Sequence, residues 1–197
     1  MPKNYKWFKR ITISILLLLI IGIASIVYFS PYTNYPGFEG KVVKYTVEID
    51  ASVDSVYSFL GNSKNASKWS VFVDHITPIN ADSFADGKQG SRRRCFCKAD
   101  ETGTQWDELI SIDEPGLRRQ LTIYNLKGFP MTADNLATEQ IYEGINYTGC
   151  KLTFIVFFKD VKPSWIDQFK LHLAAYKITP IFKGNMNNIK SILEGRR

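Results

Sequence analysis

The apolar positions of this chain change period twice. From Ile11 to Phe29 the sequence ITISILLLLIIGIASIVYF holds nothing more polar than Thr12, Ser14 and Ser25, and it has no polar stripe. As a helix this run rises roughly 28 Å, the hydrocarbon thickness of a bilayer. Backbone groups in lipid must find partners within their own segment, so the pattern predicts a transmembrane helix over 11–29. Ser30 to Gly40, with two prolines and two glycines and neither period, predicts an extended linker over 30–40.

From Lys41 the pattern becomes an alternation. Val43, Tyr45, Val47 and Ile49 interleave with Lys44, Thr46, Glu48 and Asp50, which predicts a half-buried strand. Val53, Val56, Tyr57, Phe59 and Leu60 then share one helical face, with Ser52 as the N-cap and Gly61-Asn62 as the stop. A second short turn over Ser63 to Trp69 leads to extended sequence from Phe72 to Asn80. Further strands are expected at Ser91 to Lys98, Thr104 to Asp113, Leu117 to Leu126, Asn135 to Glu143 and Cys150 to Lys159. Turn signals such as Asp86-Gly87, Pro115-Gly116 and Asn146 to Gly149 divide them, as in an antiparallel sheet.

The second change of period falls at Pro163, a suitable first helical residue. Trp165, Ile166, Phe169, Leu173 and Tyr176 recur at three and four, continuing through Ile181, Phe182, Met186, Ile189 and Leu193. Pro180 is expected to kink or interrupt this helix, because it removes a hydrogen bond and clashes with the preceding turn. The predicted class is α+β, one domain over 41–197 behind the apolar helix.

Charge then orients the helix. Lys3, Lys6, Lys9 and Arg10 carry most of the formal net charge of +6, and no acid occurs before Glu39. By the positive-inside rule residues 1–10 stay in the cytoplasm and the domain is exported, to the periplasm in a Gram-negative cell. Trp7 and Phe8 at one end, with Tyr28, Tyr32 and Tyr35 at the other, form the expected interfacial belts. A cleaved leader is the competing reading, with small residues at Gly22-Ile23-Ala24. The run overshoots an ordinary leader and continues through Ile26 to Phe29, which favours retention. With these cations set aside the domain is nearly balanced, so a basic footprint for nucleic acid is absent.

Candidate chemistry is sparse. Cys95, Cys97 and Cys150 make no disulfide framework and are expected to pack as unlinked, half-buried thiols, the alternative being one bridge from Cys150 to Cys95 or Cys97 if their strands are neighbours. No metal-ligand spacing and no glycine-rich phosphate loop occurs, and no cofactor is implied. His75 and His172 sit in no motif; Asp74-His75 reads as a surface pair and His172 as a packing or solvent-facing residue. Asn65-Ala66-Ser67 and Asn146-Tyr147-Thr148 match the glycosylation acceptor pattern, which matters only in a eukaryotic host. In Arg92-Arg93-Arg94 alternation turns Arg93 away from its neighbours. One outcome is a solvated outer face. The other places Arg93 inside with Cys95 and Cys97, where its guanidinium needs a carboxylate, and Glu108 is the candidate. The aromatic content of 14% concentrates in Trp106, Phe154, Trp165 and Phe169, where core packing and a cavity lining need the same residues.

The order strand, two short helices, strand meander and long closing helix resembles the helix-grip fold of the SRPBCC superfamily, with its START-like and polyketide cyclase-like members. VEIDASVDSVYSFLGNSKNASKW is similar to that superfamily's opening strand, helix and Trp-containing second helix, and NMNNIKSILE to the end of its closing helix. The chain departs from the pattern where Ser52 replaces the usual proline after Ala51, and where no proline follows Trp69-Ser70. The resemblance implies a curved sheet gripping the long helix around an elongated apolar cavity. The expected lining is Trp69, Arg93, Cys95, Trp106, Glu108, Ile110, Tyr142, Phe154, Trp165, Phe169 and Leu173. With no catalytic motif, the leading expectation is a membrane-anchored domain that binds a small hydrophobic ligand or lipid. The alternatives are a cyclase- or hydrolase-like enzyme using Glu108, Arg93 or Tyr142, and a structural or interaction module.

Overall fold

The structure, a computed structural model, describes residues 3–145, 148–159 and 163–195. The N-terminal helix α1 is Lys3–Tyr28, followed by the strands β1, Tyr32–Asn34, and β2, Lys41–Ile49. The helix α2, Val53–Gly61, a 3-10 turn over Ser63–Asn65 and the short helix α3, Ala66–Trp69, come next. The meander comprises β3 His75–Pro78, β4 Arg92–Phe96, β5 Gln105–Glu114, β6 Arg118–Lys127, β7 Leu136–Gly144 and β8 Cys150–Phe158, and the closing helix α4 is Trp165–Leu193.

All strands form one antiparallel sheet in the order β1-β2-β8-β7-β6-β5-β4-β3. The meander pairs neighbour to neighbour, and the opening strand closes on the last one, with Val43 opposite Val156 and Ile49 opposite Cys150. α4 lies across the inner face of this curved sheet, which is the helix-grip arrangement. Leu171 and Ala175 pack with Val43 and Val156 toward one end of α4, and Met186 and Ile189 with Ile49, Leu152 and α2 toward the other. The turn read at Asn146 to Gly149, with its acceptor pattern, has Asn146 and Tyr147 outside the described residues.

Local chemistry sets the helix boundaries. Ser52 caps α2, its Oγ accepting from the Ser55 N–H at 3.2 Å, and the buried Val56, Tyr57 and Leu60 hold it to the core. α4 opens at Trp165, not at Pro163, because Ser164 provides the cap by accepting from the Asp167 N–H at 3.1 Å. It then runs to Leu193 with Pro180 inside it and no interruption. Burial on both sides of the proline offsets the single lost hydrogen bond.

Two further expectations are corrected. Residues 30–40 are not a free linker: β1 adds to the sheet edge with Tyr32 opposite Val43, and Tyr32 is buried. Phe38 lies edge-on to Phe157 at 4.9 Å, on the strand face that Val42 shares. The second correction concerns the face of α4. Trp165, Phe169, Leu173 and Tyr176 point away from the sheet, with Trp165 76% exposed. Two apolar stripes run along this helix, and the inner one carries Leu171, Ala175, Met186 and Ile189.

α1 lies outside this core. Its span Trp7–Tyr28 is long and apolar enough to cross a membrane, and none of it is buried against the domain. Its last turn touches α4, where the Tyr176 hydroxyl donates to the Ile26 carbonyl at 2.9 Å.

Candidate functional site: a cavity between the sheet and the closing helix

The curvature of the sheet leaves a cavity of about 510 Å³ beneath α4. Its walls are mostly apolar. β6 contributes Leu121 and Ile123, β8 contributes Phe154 and Val156, α4 contributes Leu171, Ala174, Ile178 and Phe182, and residues 129–133 close one side. Of the lining expected from sequence, Trp69, Arg93, Cys95, Trp106, Glu108 and Phe154 face this space. Ile110, Tyr142, Trp165, Phe169 and Leu173 do not. Ile110 is fully buried within the sheet beside Leu121, and Tyr142 lies under α2, edge-on to Tyr57 at 5.3 Å. Trp165, Phe169 and Leu173 belong to the outer stripe of α4.

The cavity has one polar pole. Arg93 and Glu108 are directly opposite each other on β4 and β5, and Arg93 Nε donates to Glu108 Oε2 at 2.9 Å. Trp106 Nε1 donates to the other carboxylate oxygen, also at 2.9 Å. The buried side chains thus form a neutral pair. Burial works against the charge of Arg93, but the adjacent Glu108 more than compensates and raises its pKa. Arg93 Nη1 is buried and has no acceptor. Arg94, facing outward, pairs instead with Asp107 at 2.6 Å.

The cysteines are unlinked. Burial pushes Cys95 well above the usual thiol range, and Cys97 and Cys150 to about 11, so all three stay protonated at neutral pH and are poor nucleophiles. His75 pairs with Asp74 at 2.8 Å on the surface. His172 is buried against Tyr32, away from the cavity. Among the described residues no cluster of His, Cys, Asp or Glu could hold a metal ion.

A second buried polar network escaped the sequence reading. Arg119, 1% exposed, lies over the Tyr57 ring at 4.1 Å, and its Nε approaches Asp113 at 3.3 Å. Its Nη1 donates to the Tyr57 carbonyl and to Gln140 Oε1, each at 3.4 Å. Tyr57 donates its hydroxyl to Asp113, and Tyr142 donates to Gln140 at 2.6 Å. Gln140 also lines the cavity, so this network reaches the site at one point. Alternation along β6 was the signal that could have found it, since Arg119 shares the face of Leu121 and Ile123 while Arg118 points outward to Glu114. The loop residues Phe129 to Ala133 were missed because they follow no period. The inner stripe of α4 was legible at Leu171, Ala174, Ile178 and Phe182, which recur at three and four.

Comparison with known proteins places this architecture. Residues 41–194 match the model of a family described as polyketide cyclase / dehydrase and lipid transport. The chain belongs to that family. The match begins at the first residue of β2 and takes in α4, so the cavity lies wholly inside it. No curated protein matches the chain. Solved structures with the same fold include a protein from Thermobifida fusca, 15% identical with a TM-score of 0.59 over 79% of this chain and 95% of that one. Another, from Nitrosospira multiformis, is 12% identical with a TM-score of 0.58, covering 79% and 99%. The protein XoxI from Bacillus cereus is 13% identical with a TM-score of 0.56, covering 77% and 94%. At these identities the likeness concerns the fold, and this polyketide cyclase-like chain owes its site to its own residues.

Proposed function

We propose that this chain is a single-pass membrane protein whose domain binds a small hydrophobic ligand or lipid in the cavity under α4. The observation that carries this is an apolar space of about 510 Å³, within the range of small-molecule sites, in a family whose description includes lipid transport. Residues 1–10 are cytoplasmic, 11–29 span the bilayer, and 30–40 lead into the domain of 41–197 on the far side. The exposed apolar surface of Trp7–Tyr28 and the cations before Ile11 support that topology.

Native mass spectrometry of the protein released from its membrane tests the binding: a co-purifying apolar mass is expected, and a chain always free of ligand counts against it. Protease added to spheroplasts tests the topology by digesting the domain and sparing the N-terminus. Recovery of a mature chain starting after Ala24 would exclude the anchor.

A second function, cyclase-like catalysis on an apolar substrate, is favoured by the Arg93, Glu108 and Trp106 cluster facing the cavity. Tyr142 has no part in it, being shut away from the cavity. Turnover that disappears in Glu108→Gln, with ligand uptake retained, would establish that reading over simple binding.

A further inference from the structure

The outer face of α4 changes character along its length. Trp165, Ile166, Phe169, Leu173 and Tyr176 share one side of its N-terminal part, over about 16 Å of helix axis. Trp165 is the most exposed of them, and Ile166 and Tyr176 are 48% and 42% exposed. Exposed apolar residues scattered singly are ordinary, but a row of them at helical spacing marks an interaction surface. Further along the same side the exposed residues include Lys183 and Asn187, and the face becomes that of a solvated helix.

The apolar row begins where the membrane span ends. The Tyr176 hydroxyl donates to the Ile26 carbonyl at 2.9 Å. Ile26 lies two residues, about 3 Å, from Tyr28, the last residue of the span. Its carbonyl belongs to the last turn of α1, whose carbonyls lack partners within the helix, so this bond ties α4 to the end of the span. Residues 7–25 are exposed while Ile26 and Val27 are partly buried, so the two helices part within one turn. With Trp7–Tyr28 in the bilayer, Tyr176 lies at the level of the lipid headgroups. Charge agrees with this placement. α4 carries Lys170, Lys177, Lys183 and Lys190 against one acid, Asp167, whose carboxylate is met by Lys170 at 3.0 Å. Lys177 is exposed next to Tyr176, where its stem lies along apolar surface and its ammonium reaches lipid phosphates. The exposed Met131 adjoins the row, on a loop held to α4 by the bond from Lys170 to the Thr132 carbonyl.

We infer that the outer stripe of α4, from Trp165 to Tyr176, lies in the headgroup region of the bilayer that α1 crosses, so that the domain rests on the lipid surface through this face. The inference rests on the single-pass reading proposed above. Trp and Tyr, with an apolar ring and a polar tip, are the side chains that favour this layer. A helix with its apolar face in the interface lies along the membrane plane, with its cations toward the headgroups. The span and the adjoining stripe together fix the domain with α4 toward the lipid.

The test uses the full chain in nanodiscs of phosphatidylcholine and phosphatidylglycerol, with or without bromine on the acyl carbons near the headgroup, and reads tryptophan fluorescence. Bromine quenches indoles at lipid depth, and iodide quenches those open to water. Trp7, Trp69, Trp106 and Trp165 are separated by difference. Trp165→Phe removes the reporter on α4 and Trp7→Phe the reporter on α1; both positions are exposed, so neither change disturbs the core. The bromine-quenchable emission is expected to fall by a similar share in each variant. Loss in Trp7→Phe alone, with the Trp165 emission open to iodide, overturns the inference and leaves the anchor in place. Trp165 emission closed to both quenchers also overturns it and assigns the face to protein, such as a second copy of this chain. Trp7 beyond the reach of bromine removes the anchor, and the inference with it.

Discussion

Tyr32 and His172 meet edge to face with ring centroids 4.9 Å apart, which locks the segment behind the apolar helix into the domain. The contact is reinforced by Ser30 Oγ, which donates to the His172 carbonyl at 3.0 Å and accepts from the Tyr32 N–H at 3.2 Å. Burial raises the Tyr32 phenol to about 12, so the ring stays neutral at any physiological pH. Tyr32→Ala removes a buried ring from between β2 and α4 and is expected to cost about 3–5 kcal/mol. Denaturant unfolding of the full chain in detergent measures this, and a loss below about 1 kcal/mol would mean that the joint contributes little.

The same joint makes stability sensitive to acid. His172 is buried, Lys41 Nζ faces its Nε2 at 3.4 Å, and Nδ1 has no partner. Burial first, then the Lys41 charge, lowers its pKa below the ordinary 6.5. The unfolded chain therefore takes up the proton before the folded one does. Above pH 6.5 the group is neutral in both states and has no effect; as pH falls below that value the folded state is progressively disfavoured, until the folded pKa is reached. Melting temperature should drop between about pH 7.5 and 5 by more in the native chain than in His172→Gln. Parallel melting curves for the two proteins would refute the assignment.

Arg119, 1% exposed, is a buried charge between α2 and the sheet. Arg119→Met leaves the buried Asp113 with only the longer pair to Lys88 at 3.8 Å and is expected to cost about 2–4 kcal/mol. Tyr57→Phe removes one hydrogen bond to Asp113 and should cost about 1–2 kcal/mol. If the two losses, measured by urea denaturation, add fully in the double variant, the groups do not act as one network.

Gly87 marks where the β3–β4 connection meets α2. Its φ is +78°, and a Cβ there would lie 2.2 Å from the Gly61 carbonyl oxygen. Gly37 has a similar φ of +89° but open space around it. Gly37→Ala should cost about 1 kcal/mol, from backbone conformation alone, whereas Gly87→Ala should cost at least about 2–3 kcal/mol because the backbone must also move. Thermal melts of the two variants side by side decide this.

Much of the fold was legible because periods report local geometry. The alternation from Val43 to Ile49 marks β2, and Ser52 ahead of an apolar face marks α2. The meander followed from turn signals, and strand alternation offered the Arg93–Glu108 pair as the alternative to a solvated face, between which the structure chose the pair. The lining of the cavity was only half legible. Ile110 and Tyr142 sit on interior positions, but packing by Leu121 and α2 separates them from the cavity. α4 carries two apolar stripes, and periodicity alone does not say which one the sheet covers. Pro180 predicts a kink or an interruption because propensity is local, and the helix runs on without interruption because it is held by long-range burial on both sides.

Residue order by itself determined the apolar span, the α+β class and the strand and helix segments, since each depends on neighbours a few positions apart, and it named Glu108 as a partner for Arg93 only as one of two outcomes. Tertiary structure alone decided that β1 joins the sheet, that Leu171 rather than Leu173 faces the cavity, and that Arg119 and His172 are buried. Those outcomes depend on which surfaces compete for the same interior, and contacts between residues more than a hundred positions apart, as for Ser30 and His172, settle that competition.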